Sequence, residues 1–260
     1  MKKNVITSTA DVREKPDPAL PHGYLETQLV YGEDFIVEKE DNDWSYGHCA
    51  HDNYPGWVET RCLGDRPDPT HTVTARTTFT FSNAESKMRI KAPRVQHLSF
   101  ASRVTVTDTQ HDFCLLDTGD WIFSGHISPL EEYDTDYVTT AMKFLGTPYA
   151  YAGRSGFGLD CSALVQLILA RAGIKAQRDV NQQYNTIGEE TGGPAQKGDF
   201  VIFPEQGRTP YDHIGVMIDD KNILHNVYRK YAMTVIEPLD DLATRCKGIT
   251  TIRRIPGIYS

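Results

Sequence analysis

The chain has 260 residues, of which 39% are hydrophobic and 24% charged, and its formal net charge is −8 at pH 7. This length suggests one to three domains with buried cores. The negative charge argues against nucleic acid or an anionic membrane as the main partner, because both repel an acidic protein. No apolar run is long enough to span a bilayer, so we expect no membrane partner.

The N-terminus and the cysteines bear on the cellular compartment. Met1–Thr7 carries two lysines but lacks the apolar segment of a signal peptide. The sequence therefore predicts a cytoplasmic protein, although a chain already stripped of its signal would look the same. Scattered cysteines without a C-x-x-C pair indicate a reducing compartment rather than a disulfide framework or a zinc site. They are Cys49, Cys62, Cys114, Cys161 and Cys246.

The first half of the chain consists of short predicted β runs separated by Gly, Pro and Asp. A weak internal repeat relates residues 31–58 to residues 100–122, and each copy has a tryptophan one residue before its end, Trp57 and Trp121. This pattern predicts two copies of a small barrel, each of roughly 60 residues and five or six strands. The linker between them is expected at residues 64–70, which contain two prolines.

The second half begins with predicted helices. An apolar stripe follows Asp134, the expected N-cap, and Gly146 ends that helix. A second helix is expected from Cys161 to Gly173, and a third from Asp179 to Tyr184. The strands expected after them are Phe200–Phe203, Ile214–Ile218, Asn222–Val227, Thr234–Ile236 and Ile249–Ile255. Helices followed by an antiparallel sheet predict an α+β domain.

Cys161 is a candidate nucleophile. It follows a glycine-rich loop, residues 153–158, and opens the second predicted helix. Unpaired N–H groups and the helix dipole at such a position favour a thiolate. The alternative is a buried structural cysteine beside a capping Asp160.

Two histidines are candidates for the base and its orienter, which a cysteine nucleophile requires. His213 opens one predicted strand and His225 closes the next. Both rings share one face of the sheet if the turn between the strands has an odd number of residues, for instance three. His225 would then orient His213 toward Cys161. The alternative is that each is a partly buried strand residue.

Five segments of the second half form an ordered pattern: residues 146–149, 159–166, 197–201, 213–216 and 224–225. This pattern resembles that of NlpC-type papain-like cysteine peptidases. The N-terminal half is similar to the tandem bacterial SH3-like domains of a cytoplasmic branch of that family, on residues 25–33 and 52–58. The expected fold is multidomain, with SH3-like β-barrels at residues 1–66 and 67–130 and an α+β papain-like cysteine peptidase domain at residues 131–260.

The resemblance implies roles for individual residues. The branch comprises γ-D-glutamyl-L-diamino acid endopeptidases, which cut murein peptides with a free N-terminal L-Ala. Cys161 would be the nucleophile, His213 the base and His225 the orienter. The residues implied in substrate binding are Asp160, Tyr54 and Glu26 for the ammonium and Ser162 for the peptide chain. Taken alone, Tyr54 also fits a packing role at a barrel corner, and Asp160 fits a helix cap.

The chain departs from the family pattern in three places. Tyr151-Ala152 stands where the family usually has Trp-Gly, Ala163 replaces a glycine after Cys-Ser, and Asp212 replaces a glycine before the first histidine. Asp212 adds a carboxylate beside the base and is expected to raise its pKa. These departures concern fine specificity more than catalysis.

The sequence thus predicts a cytoplasmic cysteine peptidase, needing no metal and no cofactor, that hydrolyses the γ-D-Glu–diamino acid bond of L-Ala-γ-D-Glu-diamino acid murein peptides during cell-wall recycling. A thioester acyl-enzyme is expected, with backbone N–H groups at the helix start as oxyanion donors. One alternative is an amidase or acyltransferase with the same chemistry. Whether the substrate needs a free N-terminus distinguishes it from the peptidase. The other alternative is a non-catalytic module that binds cell wall or protein. Selective alkylation of Cys161 over the other cysteines would favour the enzyme over this module.

Overall fold

The structure, a computed structural model, describes residues 1–17, 19, 24–83, 93–204 and 209–259. The described chain divides into two compact units. The first is Met1–Glu132 with Ser155–Phe157, and the second is Tyr133–Arg154 with Gly158–Ser260. Among the described residues, no helix is both long enough and apolar enough to cross a membrane.

The first unit is built from β-strands, and its first seven form one sheet in the order β3-β2-β6-β5-β4-β1-β7. The other strands form a five-stranded sheet, β10-β9-β14-β13-β12, and a three-stranded sheet, β11-β8-β15. The strands are β1 (Lys2–Val5), β2 (Thr9–Arg13), β3 (Leu25–Val30), β4 (Asp34–Asp41), β5 (Trp44–Cys49), β6 (Pro55–Glu59), β7 (Leu63–Gly64), β8 (His71–Val73), β9 (Thr77–Phe81), β10 (Arg94–Ser99), β11 (Arg103–Val104), β12 (Val106–Gln110), β13 (Phe113–Leu116), β14 (Trp121–Phe123) and β15 (Ile127–Pro129).

The first unit has two buried cores, and apart from Tyr31 each core lies within one predicted barrel segment. Strand β2 alternates buried and partly exposed residues, as expected of a strand with one face on a core. Tyr31 lies after the third strand yet packs into the second core, and Arg66 stacks over its ring. The division at residues 66 and 67 stays a prediction. The first core is Val5, Ala10, Val12, Leu29, Phe35, Val37, Cys49 and Val58, and the second is Tyr31, Val73, Leu98, Val104, Cys114, Leu116 and Ile122.

From residue 133 onward, three helices precede a six-stranded antiparallel sheet in the order β18-β23-β19-β20-β21-β22. The helices are α1 (Tyr137–Met142), α2 (Cys161–Arg171), α3 (Val180–Thr186) and α4 (Leu239–Arg245), the last lying between β22 and β23. The strands are β16 (Arg154–Ser155), β17 (Gly158–Leu159), β18 (Glu189–Glu190), β19 (Phe200–Phe203), β20 (His213–Met217), β21 (Asn222–Val227), β22 (Met233–Pro238) and β23 (Thr251–Arg254).

Helix α2 is the central helix of the second unit. Ten of its eleven residues are buried, and it packs against strands β20 and β21. This packing brings the helix that starts at Cys161 against the two strands that carry the candidate histidines.

The helix caps correct one prediction. The N-cap of α1 is Asp136, whose carboxylate accepts the N–H groups of Val138 and Thr139, each at 3.0 Å. Asp134, the expected cap, instead accepts hydrogen bonds from Thr140 and Arg171. The two aspartates are only two residues apart, and choosing between them depends on the tertiary position of Arg171.

Candidate active site

Asp160 and Cys161 lie where α2 begins. Asp160 is the N-cap in extended backbone conformation, and its Oδ1 accepts the N–H of Ala163 at 2.9 Å. Cys161 is the first helical residue and is buried, with 8% of its surface exposed. First-turn N–H groups have no partner within a helix, and the dipole there is positive. The position therefore favours both a thiolate and an oxyanion.

His213 and His225 face each other across neighbouring strands. Val216 pairs with Leu224, so the turn comprises the three residues 219–221. This odd turn length places both rings on one face of the sheet. His213 Nε2 lies 2.7 Å from His225 Nδ1, and both side chains are buried. The structure thus shows that the two imidazoles are in contact, while their catalytic roles stay predictions.

Gly215 makes room for this pair. A Cβ at residue 215 would lie 2.9 Å from the Cβ of His225 and 2.8 Å from Cδ1 of Ile223. Any larger residue would push the strand or the imidazole away. The glycine of the His213-Ile214-Gly215 motif is therefore explained by the close approach of the neighbouring side chain.

Glu237 continues the chain of polar groups, and it was not predicted from the sequence. Its Oε2 lies 3.0 Å from His225 Nε2. Arg245 binds the same carboxylate with two hydrogen bonds, 2.8 Å to Oε1 and 2.6 Å to Oε2. Tyr231 Oη and Lys230 Nζ reach Oε1 at 3.0 and 3.3 Å. The sequence signal that could have identified Glu237 is a lone carboxylate in an apolar strand. In the structure it lies two residues after Val235, the residue that pairs with His225.

The charges of this group follow from burial and hydrogen bonding. Burial acts to raise the pKa of Glu237, but hydrogen bonds from His225 and Arg245 outweigh it and hold the pKa well below its usual range. Burial, His225 and Arg245 together put the pKa of His213 well below its ordinary value. Burial also lowers the pKa of His225, although Glu237 opposes the shift. At neutral pH the carboxylate is ionised and both imidazoles are neutral, so His213 can accept a proton.

Asp160 and Ser162 are joined by a buried arginine that sequence reasoning also missed. Arg178 Nη1 and Nη2 donate to the two carboxylate oxygens of Asp160 at 3.0 and 2.6 Å, and Nη1 donates to Ser162 Oγ at 2.8 Å. Ser162 Oγ in turn donates to Asp160 Oδ1 at 3.2 Å. Arg178 is only 1% exposed. The cap of α2 is thus locked in orientation by a charged partner beyond the C-terminus of the helix.

Tyr54 and Glu26 lie together within the first unit. The Tyr54 hydroxyl donates to Glu26 Oε2 at 3.1 Å, and the Tyr54 N–H donates to Asp52 Oδ1 at 3.0 Å. Tyr54 is partly buried against the first core. The pair presents a carboxylate and a phenol oxygen side by side, and its role in binding an ammonium stays a prediction.

The departures from the family pattern have different structural consequences. The expected rise in the pKa of His213 beside Asp212 is wrong, because burial and the positive Arg245 lower that pKa. Ala152 is buried with φ +57, in the left-handed region that favours glycine. Tyr151 beside it is 61% exposed. Ala163 is fully buried in the first turn of α2.

The described residues contain no group of three or more His, Cys, Asp or Glu side chains arranged to hold a metal ion. The polar groups around Glu237 and Asp160 are instead paired with arginines.

Comparison with known proteins identifies two domain families within the chain. Residues 146–241 match the NlpC/P60 family, and residues 13–63 match the bacterial dipeptidyl-peptidase Sh3 domain. A gamma-D-glutamyl-L-lysine dipeptidyl-peptidase from Bacillus cereus is 28% identical over 82% of this chain and 70% of its own length. Dipeptidyl-peptidase 6 from Lysinibacillus sphaericus is 24% identical over 93% of this chain and all of its own.

A crystal structure of an NlpC/P60 family protein from Bacillus cereus has the same fold. Its TM-score is 0.83 at 24% identity, and the match covers 98% of this chain and 99% of the other. The family segment of residues 146–241 contains the cysteine, both histidines and Glu237 of the site described above. The chain therefore carries a domain of the NlpC/P60 family of cysteine peptidases at residues 146–241 and a bacterial Sh3 domain at residues 13–63.

Proposed function

We propose that Cys161 is the nucleophile of this peptidase, His213 its base and His225 the group that orients the base. The observation that carries the proposal is the 2.7 Å contact between the two buried imidazoles on the strands against which α2 packs. A neutral, buried base next to a helix that starts with a cysteine is the arrangement that thiol activation requires.

In the proposed reaction His213 takes the thiol proton, and Cys161 Sγ forms a bond to the carbonyl carbon of the scissile amide. N–H groups at the start of α2 hold the resulting oxyanion. The C–N bond then breaks, the leaving amine takes the proton from His213, and a thioester remains. Water attacks the thioester through the same base, which releases the carboxylate product and regenerates the thiol.

The proposed substrate is L-Ala-γ-D-Glu-diamino acid, cut at the γ-D-Glu–diamino acid bond. Two relatives named gamma-D-glutamyl-L-lysine dipeptidyl-peptidases, from Bacillus cereus and Bacillus subtilis, support this choice. Within the first unit, the Tyr54–Glu26 pair supplies a phenol and a carboxylate oxygen suited to an ammonium. A buried ammonium needs such partners, because an unpaired buried charge costs several kcal/mol.

Mass spectrometry of products tests this assignment. The substrates are L-Ala-γ-D-Glu-L-Lys, its diaminopimelate counterpart, and both peptides with an acetylated N-terminus, each incubated with the protein and with Cys161→Ala. We expect release of L-Ala-γ-D-Glu from the free peptides only, and none with the variant. Equal turnover of acetylated peptides would favour the amidase or acyltransferase. No turnover together with unselective alkylation of the five cysteines would favour a binding module.

The proposal extends to architecture and location. Residues 67–130 would form a second SH3-like barrel after the first at residues 1–66, since each segment has its own buried core. The enzyme would act in the cytoplasm on peptides released during cell-wall recycling. Cell fractionation with an antibody against the protein tests the location, and an exported pool as the major fraction would contradict it.

A further inference from the structure

We propose that Glu237 is a positioning residue that sets the tautomers of both active-site histidines, with Arg245 as its anchor. The inference rests on the proposed function of His213 and His225. It concerns a residue that touches neither the thiol nor, in the proposed reaction, the scissile amide.

The direction of the hydrogen bonds follows from the chemistry of the carboxylate. An ionised carboxylate can only accept, so His225 Nε2 must carry a proton to bond Glu237 Oε2 at 3.0 Å. A neutral imidazole has one N–H, so His225 Nδ1 is then an acceptor. Its contact at 2.7 Å therefore requires His213 Nε2 to donate. That leaves His213 Nδ1 unprotonated, which is the state a base needs to take a thiol proton.

The carboxylate is held by charged and polar groups from each element around it. Arg245 on α4 binds both oxygens, and the loop between β21 and β22 supplies Lys230 and Tyr231 to Oε1. That loop has two non-glycine residues in the left-handed region, Lys230 at φ +77 and Ala232 at φ +52. Such conformations persist where the surroundings impose them. The conformation of this loop thus places the Lys230 and Tyr231 donors at Oε1 of Glu237.

This crowding of donors makes Glu237→Gln an informative substitution. An amide at residue 237 keeps the shape but must turn its NH2 either toward Oε1, facing Arg245 Nη1, Lys230 and Tyr231, or toward Oε2, facing Arg245 Nη2 and His225. Only His225 and the tyrosine hydroxyl can change from donor to acceptor. In the first orientation the NH2 faces two groups that cannot accept a hydrogen bond, Arg245 and Lys230. In the second it faces only one such group, Arg245, so the NH2 should donate to His225 Nε2. Both tautomers then reverse, and His213 Nδ1 becomes protonated.

Long-range 1H–15N correlation spectra of the full chain with 15N-labelled histidine test the inference. In the unmodified protein we expect Nε2–H on both rings, and in Glu237→Gln we expect Nδ1–H on both. On the free-amine tripeptide, kcat should fall by about 100-fold or more in the variant, because a general base typically contributes about 10²- to 10⁴-fold. KM should change little, because the substrate contacts are retained.

Asp199→Asn is the matched control. Asp199 is 1% exposed and forms a bidentate pair with Arg254 at 2.7 Å to each oxygen, away from the histidines. The control should lose stability but keep both tautomers and kcat. A merely structural Glu237 would behave in the same way, so unchanged tautomers in Glu237→Gln would overturn the proposal.

The spectrum of the unmodified protein decides the matter even if Glu237→Gln does not fold. A proton on His225 Nδ1 in that spectrum would refute the inference directly. The proposed function fails separately, through absent turnover of the tripeptide by the unmodified protein. Expected tautomers without turnover would therefore reject the substrate and retain the positioning role.

Discussion

The clearest quantitative expectation concerns Arg178→Met. The side chain is almost fully buried, and its guanidinium donates hydrogen bonds to both oxygens of the Asp160 carboxylate and to Ser162 Oγ. Removing one partner of a buried ion pair costs about 3–5 kcal/mol, because the other charge stays buried without compensation. Asp160 keeps the N–H of Ala163 and the hydroxyl of Ser162. We therefore expect the lower end, about 3 kcal/mol.

The assay must report the unfolding of the second unit, because Arg178 and Asp160 both lie in it. The three tryptophans, at residues 44, 57 and 121, all lie in the first unit, so their fluorescence follows that unit instead. Hydrogen exchange of the α2 amides, residues 161–171, follows the second. A loss of about 3 kcal/mol should speed their exchange by roughly 100-fold where exchange requires unfolding of the unit. The thermal transition of that unit should fall by about 6–12 °C.

Arg171→Met is the matched control for this prediction. Arg171 lies at the other end of the same helix and pairs with Asp134, whose side chain is 28% exposed. Water can compensate Asp134 after the substitution, so the loss should be about 1 kcal/mol. A double variant with Asp160→Asn and Arg178→Met should lose less than the sum of the two singles. Equal losses for Arg178→Met and Arg171→Met would refute the reasoning.

Three further predictions follow from single features of the second unit. The stability of the fold should decrease as the pH falls below about 6.5, because buried His213 and His225 have lowered pKa values and the unfolded chain binds their protons first. Measuring the α2 exchange rates as a function of pH checks this, and a stability that stays constant down to pH 5 would contradict it. Ala152→Gly should raise the free energy of unfolding by about 0.5–1 kcal/mol, since alanine is strained at φ +57; the control is Ala163→Gly inside α2, which should instead lose about 1 kcal/mol. Cys161→Ala, His213→Ala and their double variant should lose nearly equal activity on the tripeptide, because the two act as one unit; multiplicative losses would argue against a shared catalytic step.

Local features allowed much of the site to be predicted from sequence. A cysteine after a glycine-rich loop and before an apolar run predicts a helix start, and α2 begins at Cys161. Alternation and turn length predict that His213 and His225 share a face, and the register of β20 and β21 bears this out. These inferences depend on residues within one helix or one hairpin, where the geometry of the backbone leaves few choices.

What the sequence alone determined about this protein is thus its local structure and the identity of its family motifs. Only the tertiary structure decided the partners of the charged groups. Arg178 reaches Asp160 because the chain turns back after α2, and Arg245 reaches Glu237 because α4 packs beside β22. The pKa of His213 is lowered by burial, by His225 and by Arg245, and these causes come from parts of the chain far from residue 213 in sequence. Desolvation and long-range pairing depend on the packed fold, and no local pattern of residues encodes them.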